Sequence, residues 1–219
     1  MLRATSIHHK YGDLTILNDV SLSIKKGEIV SIVGSSGAGK TTLLQILGTL
    51  ERPTSGSFTI DGISPLDLSK KKLAAFRNQS IGFIFQFHQL LPEFTALENI
   101  LLPGLIGGKS ISELTPKAKE LMGILNISHR SEHKPSELSG GEQQRIAVAR
   151  SLINSPKIIF ADEPSGNLDS KNAEELHQLF FELRNRFQQT FVIVTHNESL
   201  ASMSDRKLFM RDGRFDTGL

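Results

Sequence analysis

Apolar residues first alternate with polar ones at Val20, Leu22 and Ile24, the two-residue period of a strand with one exposed face. Residues 28–34 (EIVSIVG) then run almost without polar interruption, the pattern of a strand buried on both sides. A helix is predicted from Lys40 to about Leu50, ended by Pro53 and Gly56. Residues 57–62 (SFTIDG) read as a short strand entering an Asp61-Gly62 turn, and residues 81–86 (IGFIFQ) as another strand. The buried-strand pattern returns at residues 157–164 (KIIFADEP) and 190–196 (TFVIVTH). Between these two, Leu176, Leu179, Phe180 and Leu183 share one helical face. Apolar strands alternating with helices predict a parallel α/β sheet.

The period changes in the middle of the chain. Thr95 and Glu98 form a T-x-x-E capping box ahead of Ile100, Leu101 and Leu102. Thr115 is expected to cap a second helix, with Pro116 at its first position. Ala118, Leu121, Met122 and Leu125 then make one apolar stripe. Residues from about 88 to 136 therefore read as a helical insertion between stretches of sheet.

At 219 residues the chain is long enough for one large domain with a full core. Its 25 basic and 23 acidic residues leave a net charge of +2, too balanced for a protein that coats nucleic acid. The run Lys70-Lys71-Lys72 is most simply a solvated helix face. With no cysteine, disulfides and thiolate metal sites are excluded. The first residues, MLRATSIHHKYGD, lack the apolar core of a signal peptide. The most apolar long stretch, residues 90–108, is broken by Pro92, Glu93, Glu98, Asn99 and Pro103. The expectation is a cytosolic chain that does not span a membrane by itself.

The chemistry starts at residues 34–42 (GSSGAGKTT), where Gly34, Gly39, Lys40 and Thr41 have P-loop spacing between a predicted strand and helix. Backbone N–H groups of Gly34, Ser35, Ser36, Gly37, Ala38 and Gly39 are expected to curl around a phosphate, with Thr42 closing the stretch. Lys40 adds a point charge for the β- and γ-phosphates, and the Thr41 hydroxyl is a Mg²⁺ ligand. Such a loop needs a second acid on a neighbouring strand. Asp162, ending a buried strand, supplies it for the Mg²⁺ shell, and Glu163 follows as the group that takes a proton from attacking water or orients it. The pair also suits a strand end that caps the next turn. Many P-loop kinases lack an acid at the second position, so Asp-Glu favours hydrolysis over phosphoryl transfer to a metabolite.

A second glycine-rich stretch, residues 135–150 (PSELSGGEQQRIAVAR), carries another capping box at Ser139 and Glu142, followed by an apolar stripe at Ile146, Ala149 and Ile153. It is a well-made helix start, and a helix start with exposed glycine N–H groups is also an anion site.

These stretches, in this order, resemble the nucleotide-binding subunit of ABC transporters over nearly the whole chain. The resemblance implies a P-loop NTPase fold in a single domain spanning residues 1–219. A mostly parallel core sheet with an antiparallel β subdomain would take about 1–87 and 137–219, and an inserted helical subdomain about 88–136. It assigns Tyr11 to adenine stacking, Gln86 to the metal or lytic water, and Ser139, Gly140, Gly141 and Glu142 to the signature. Asp169 falls in the D-loop, and His196 is the switch histidine contacting the γ-phosphate. Each has a plainer reading: Tyr11 as an edge-strand aromatic, Gln86 as a strand cap, Asp169 as a helix N-cap and His196 as a satisfied histidine. Glu142 departs from the family's commoner Gln. The cofactors implied are ATP and Mg²⁺.

The implied partners are a second copy on ATP binding, and integral membrane permease subunits docking near Gln86 and the helical insertion, with no nucleic acid. That places the chain peripherally, at the cytoplasmic face of the inner membrane. Residues 163–169 (EPSGNLD) and 83–103 (FIFQFHQLLPEFTALENILLP) resemble most the branch holding lipoprotein-releasing, macrolide-efflux and division-associated ATPases. The lipoprotein-releasing members are the nearest in wording. A macrolide-efflux or division-associated ATPase, or a soluble ABC ATPase acting on nucleic acid, is the alternative.

Overall fold

The computed structural model describes residues 1–216. Its first sheet is antiparallel, with order β2-β1-β4: β1 (Leu2–Tyr11), β2 (Leu14–Ile24) and β4 (Ser55–Ile60). The second has six strands in the order β5-β6-β7-β3-β8-β9. Its members are β3 (Ile29–Val33), β5 (Ile81–Phe85), β6 (Ile158–Asp162), β7 (Thr190–Val194), β8 (Arg206–Arg211) and β9 (Arg214–Phe215). All pairs are parallel except β8 with β9. The helices are α1 (Lys40–Leu47), α2 (Lys70–Ser80), α3 (Ala96–Ile106), α4 (Ile111–Ile124), α5 (Gly140–Leu152), α6 (Ser170–Phe187) and α7 (Glu198–Met203).

The central strands are buried on both faces, and successive side chains feed opposite cores. Val30, Ile32, Phe160, Val192 and Val194 join α1 and the antiparallel sheet. Ile29, Ile159, Ala161, Phe191 and Ile193 join the stripes of α3, α4, α5 and α6. The apolar runs thus became central strands because helices and sheet cover both sides. Lys70, Lys71 and Lys72 are exposed at the start of α2, as expected of a solvated face.

Two expectations are corrected. The strand of Asp162 is not the neighbour of the P-loop strand: β7 pairs with both β3 and β6 and lies between them. The acid still reaches the loop, because parallel strands deliver all their carboxyl ends to one edge. The second inserted helix does not start at Thr115 and Pro116. It starts a turn earlier at Ile111, where the Ser110 hydroxyl accepts from Glu113 N at 3.3 Å. Thr115 instead donates back to the Ile111 carbonyl at 2.7 Å. Pro116 is accommodated because the carbonyl it leaves without a donor belongs to Ser112, an exposed residue that water can satisfy. The helix after the P-loop ends at Leu47, where the Gly48 N–H closes on Leu44 O.

Candidate active site

The P-loop joins β3 to α1, and its glycines are required by what surrounds them. Gly34 has φ 156°, and a Cβ there would sit 2.1 Å from the Met210 carbonyl oxygen of β8. Gly39, the N-cap of α1, has φ 98° and would press a Cβ to 2.9 Å from Leu17 Cδ2. The loop is thus clamped between the β8 backbone and β2. Lys40 Nζ folds back over it, donating to the carbonyls of Gly34 (2.9 Å) and Ser35 (2.8 Å).

A cavity of about 510 Å³ opens over this loop. Gly34, Ser36, Gly37, Ala38, Gly39, Lys40, Thr41 and Thr42 form its floor, with Ile16, Gln86, Glu163, Val194 and His196 on the walls. Across the floor, Thr41 Oγ1 donates to Asp162 Oδ1 at 3.2 Å. Burial raises the Asp162 carboxyl above its usual range; the Thr41 hydrogen bond opposes this, the Glu163 charge adds to it and Lys40 opposes it. Glu163 begins the next turn with φ 46°, a conformation that costs a non-glycine residue about 1–3 kcal/mol. It is held by its N–H bond to Val194 O at 2.9 Å. Its Oε2 lies 2.9 Å from His196 Nδ1 and accepts from the His196 N–H at 3.2 Å.

Gln86 follows β5 and meets the turn after Glu163. Its Nε2 donates to Asn167 Oδ1 at 3.0 Å, and Asn167 Nδ2 donates to the Gln86 carbonyl at 3.1 Å. The turn is anchored below by Gln144 Nε2, donating to Pro164 O at 2.6 Å, and by buried His177, whose Nε2 is 3.1 Å from Ser165 Oγ. Asp169 is the N-cap of α6, accepting from Asn172 N at 3.0 Å.

Not every expected site residue lines this cavity. Tyr11 stands at the end of β1, half exposed, with its hydroxyl donating to Glu51 Oε2 at 2.5 Å and its ring edge-on to His9. Ser139, Gly140, Gly141 and Glu142 are also absent from its walls. Ser139 caps α5, Gly140 is exposed at the helix start, Gly141 is buried against Asn172, and Glu142 closes the capping box. Burial opposes the Glu142 charge, but the Ser139 N–H, the Arg130 guanidinium at 2.6 Å and the Ser139 hydroxyl lower its pKa to about 2. The sequence reading missed Ile16 and Val194, which enter only through strand placement. Asn167 stood in the 163–169 stretch without a role, and Glu51 was passed over, an acid just beyond the predicted helix with nothing nearby to tie it to Tyr11.

Fold and site together define a P-loop nucleoside triphosphatase cassette. The chain belongs to the ABC transporter family: a sequence profile described as ABC transporter matches residues 17–166. It is 60% identical over 213 residues to the lipoprotein-releasing system ATP-binding protein LolD of Cytophaga hutchinsonii, covering 97% of each chain. The same named protein of Porphyromonas gingivalis is also 60% identical, with 97% of each chain covered. The solved dimeric structure of the ABC transporter cassette MJ0796 superposes with a TM-score of 0.90 at 40% identity, covering 99% of this chain and 97% of that one. A post-hydrolysis dimer of that cassette with ADP and Pi gives 0.89 at 40% identity, with the same coverage. As a family member, the chain is an ATP-binding, ATP-hydrolysing cassette.

Proposed function

We propose that this chain drives a membrane complex that releases lipoproteins, hydrolysing ATP in sites shared by two copies. Support for the cargo comes from relatives named for lipoprotein release at 60% identity over nearly the full chain. The observation that carries the chemistry is Glu163 at 2.9 Å from His196, both on the wall of the P-loop cavity.

The P-loop N–H groups and Lys40 hold the β- and γ-phosphates, and Lys40 trades its two loop carbonyls for them. Thr41 and Asp162 fit Mg²⁺: one hydroxyl and one carboxylate 3.2 Å apart suit a hard cation that keeps phosphate and water as its other ligands. When bound, Mg²⁺ supplies charge neutralisation at the β- and γ-oxygens. Glu163 takes the proton of the attacking water while that oxygen bonds to the γ-phosphorus and ADP leaves. His196 holds the Glu163 carboxylate through its backbone N–H, and its one imidazole N–H is the donor for the γ-phosphate. Gln86 turns its amide oxygen to the metal or water, and Tyr11, pinned by Glu51, stacks on the base.

Ser139, Gly140 and Gly141 stand at the positive end of α5 and do not line the chain's own P-loop cavity, so they are assigned to ATP held by the partner copy, with Glu142 fixing the loop and Asp169 lying between copies. Phe87 and Leu91, 67% and 43% exposed, follow Gln86 and receive a helix of the permease subunits. Among the described residues no helix is long and apolar enough to cross a membrane. Attachment at the cytoplasmic face of the inner membrane therefore runs through those subunits.

The test uses two dead variants with different tags. Lys40→Ala spoils the P-loop and Ser139→Arg blocks the signature. If sites are shared, the mixed dimer gathers both defects in one site and traps one ATP in the other, while neither parent traps any. No trapping in all three overturns the shared site. Lipoprotein release from vesicles holding the permease subunits, dependent on this chain and ATP, tests the cargo.

A further inference from the structure

We propose that Asn167 is a positioning residue that sets which end of the Gln86 amide faces the phosphate cavity. The inference rests on the Gln86 role proposed above.

A glutamine amide has an accepting and a donating end of nearly the same shape, and here only the oxygen is useful toward a cation or water. The contacts decide the orientation in sequence. The Gln86 main-chain carbonyl can only accept, so the Asn167 atom 3.1 Å away is Nδ2. The other end of Asn167 is then Oδ1, which can only accept, so the Gln86 atom 3.0 Å from it is Nε2. Gln86 Oε1 is left without a hydrogen-bond partner among the described residues, on a side chain that lines the cavity. A backbone carbonyl, which cannot flip, thus fixes two amides that otherwise could.

The seat is shaped for this pairing. A Cβ on Gly166 would lie 3.0 Å from Gln86 Nε2 and 3.2 Å from its Cδ, so the amide rests directly on the turn. The turn is held at both ends: Gly166 N–H donates to Glu163 O at 3.0 Å, Leu168 N–H to Ser165 O at 3.1 Å, and Asp169 caps α6. Asn167 is therefore carried on a rigid support, while its own side chain is exposed and removable without leaving a cavity. The same turn starts at Glu163, so the orientation of Gln86 is tied to the catalytic carboxylate within one loop.

The test is a double-mutant cycle in the full chain: Gln86→Ala, Asn167→Ala and both together. Each is read by kcat, by KM for ATP, by calorimetric affinity for a non-hydrolysable Mg·ATP analogue, and by thermal midpoint. Asn167→Ala is expected to lower kcat about three- to tenfold, the scale of one or two net hydrogen bonds, with KM and analogue affinity within about twofold. Adding it to Gln86→Ala should cost nothing further. Two results overturn the proposal while sparing the Gln86 reading: wild-type kcat in Asn167→Ala beside a defective Gln86→Ala, or losses that multiply in the double variant. Unchanged kcat in Gln86→Ala overturns the Gln86 reading itself, and this proposal with it. Loss of thermal stability in Asn167→Ala that tracks its kcat loss makes the residue a structural pin and also overturns it.

Discussion

His196 Nδ1 lies 2.9 Å from Glu163 Oε2, so the last residue of one strand-end turn holds the carboxylate of another. The contact crosses from β7 to β6, and the Glu163 N–H returns it by donating to Val194 O at 2.9 Å. The acid is thereby fixed in its φ 46° conformation by the strand that ends in the histidine.

Glu163→Gln keeps the shape and the contact with His196 but cannot take a proton. Turnover should fall by about 10²–10⁴ with ATP affinity held within a few-fold. The variant should accumulate as an ATP-bound dimer, seen by gel filtration. Normal turnover would remove Glu163 from the chemistry.

Acid should unfasten the signature loop. The Glu142 pKa is lowered to about 2 in the folded chain, below its unfolded value, so its stabilisation is complete above the unfolded pKa and is lost as pH falls toward the folded one. The window is about pH 4.5 to 2, and the contribution at neutral pH is roughly 2–3 kcal/mol, since the side chain is only 20% exposed. Glu142→Gln should flatten the stability curve across that window in acid denaturation followed by circular dichroism.

Leu91→Asp should fold, because Leu91 is 43% exposed and is held through its backbone, not its side chain. Basal ATPase should stay within about twofold while pull-down of the permease subunits fails, a charge in an apolar groove being costly to desolvate. A stable variant that still binds those subunits would refute docking at this patch.

The residue that holds that patch is Asn99. It is fully buried, accepts from the Leu91 N–H at 2.8 Å, and donates to the carbonyls of Leu91, Phe94 and Thr95 at 3.0–3.1 Å. The Leu91 and Thr95 carbonyls keep backbone partners, so Asn99→Ala strands the Leu91 N–H and the Phe94 carbonyl and should cost about 2–4 kcal/mol in urea denaturation.

What the sequence made legible was whatever depends on local spacing. P-loop glycines, capping boxes at Thr95 and Ser139, and the stripes of α4 and α6 are short-range patterns, and the structure forms each of them. Strand order is not short-range: nothing near Asp162 announces that β7 inserts beside β3. The start of α4 was hidden by a competing signal. Pro116 suits a first helical position, yet Ser110 and Glu113 also have capping-box spacing, and burial of Leu114 and Ala118 on one face decides for the longer helix. In the site, Glu163 and His196 were separable by motif, but the pairing of Gln86 with Asn167 joins positions 81 residues apart and needed the fold to appear.

The placement of β7 makes the sheet a caliper. Between the phosphate cradle after β3 and the carboxylates at the end of β6 stand two interstrand spacings, together about 9.5 Å, set by backbone ladders rather than by any side chain. Thr41 spans that gap from the head of α1 to touch Asp162. The jaw width of the nucleotide site is thus a property of main-chain pairing, and a bulge introduced into β7 would open or skew it with every catalytic residue still present.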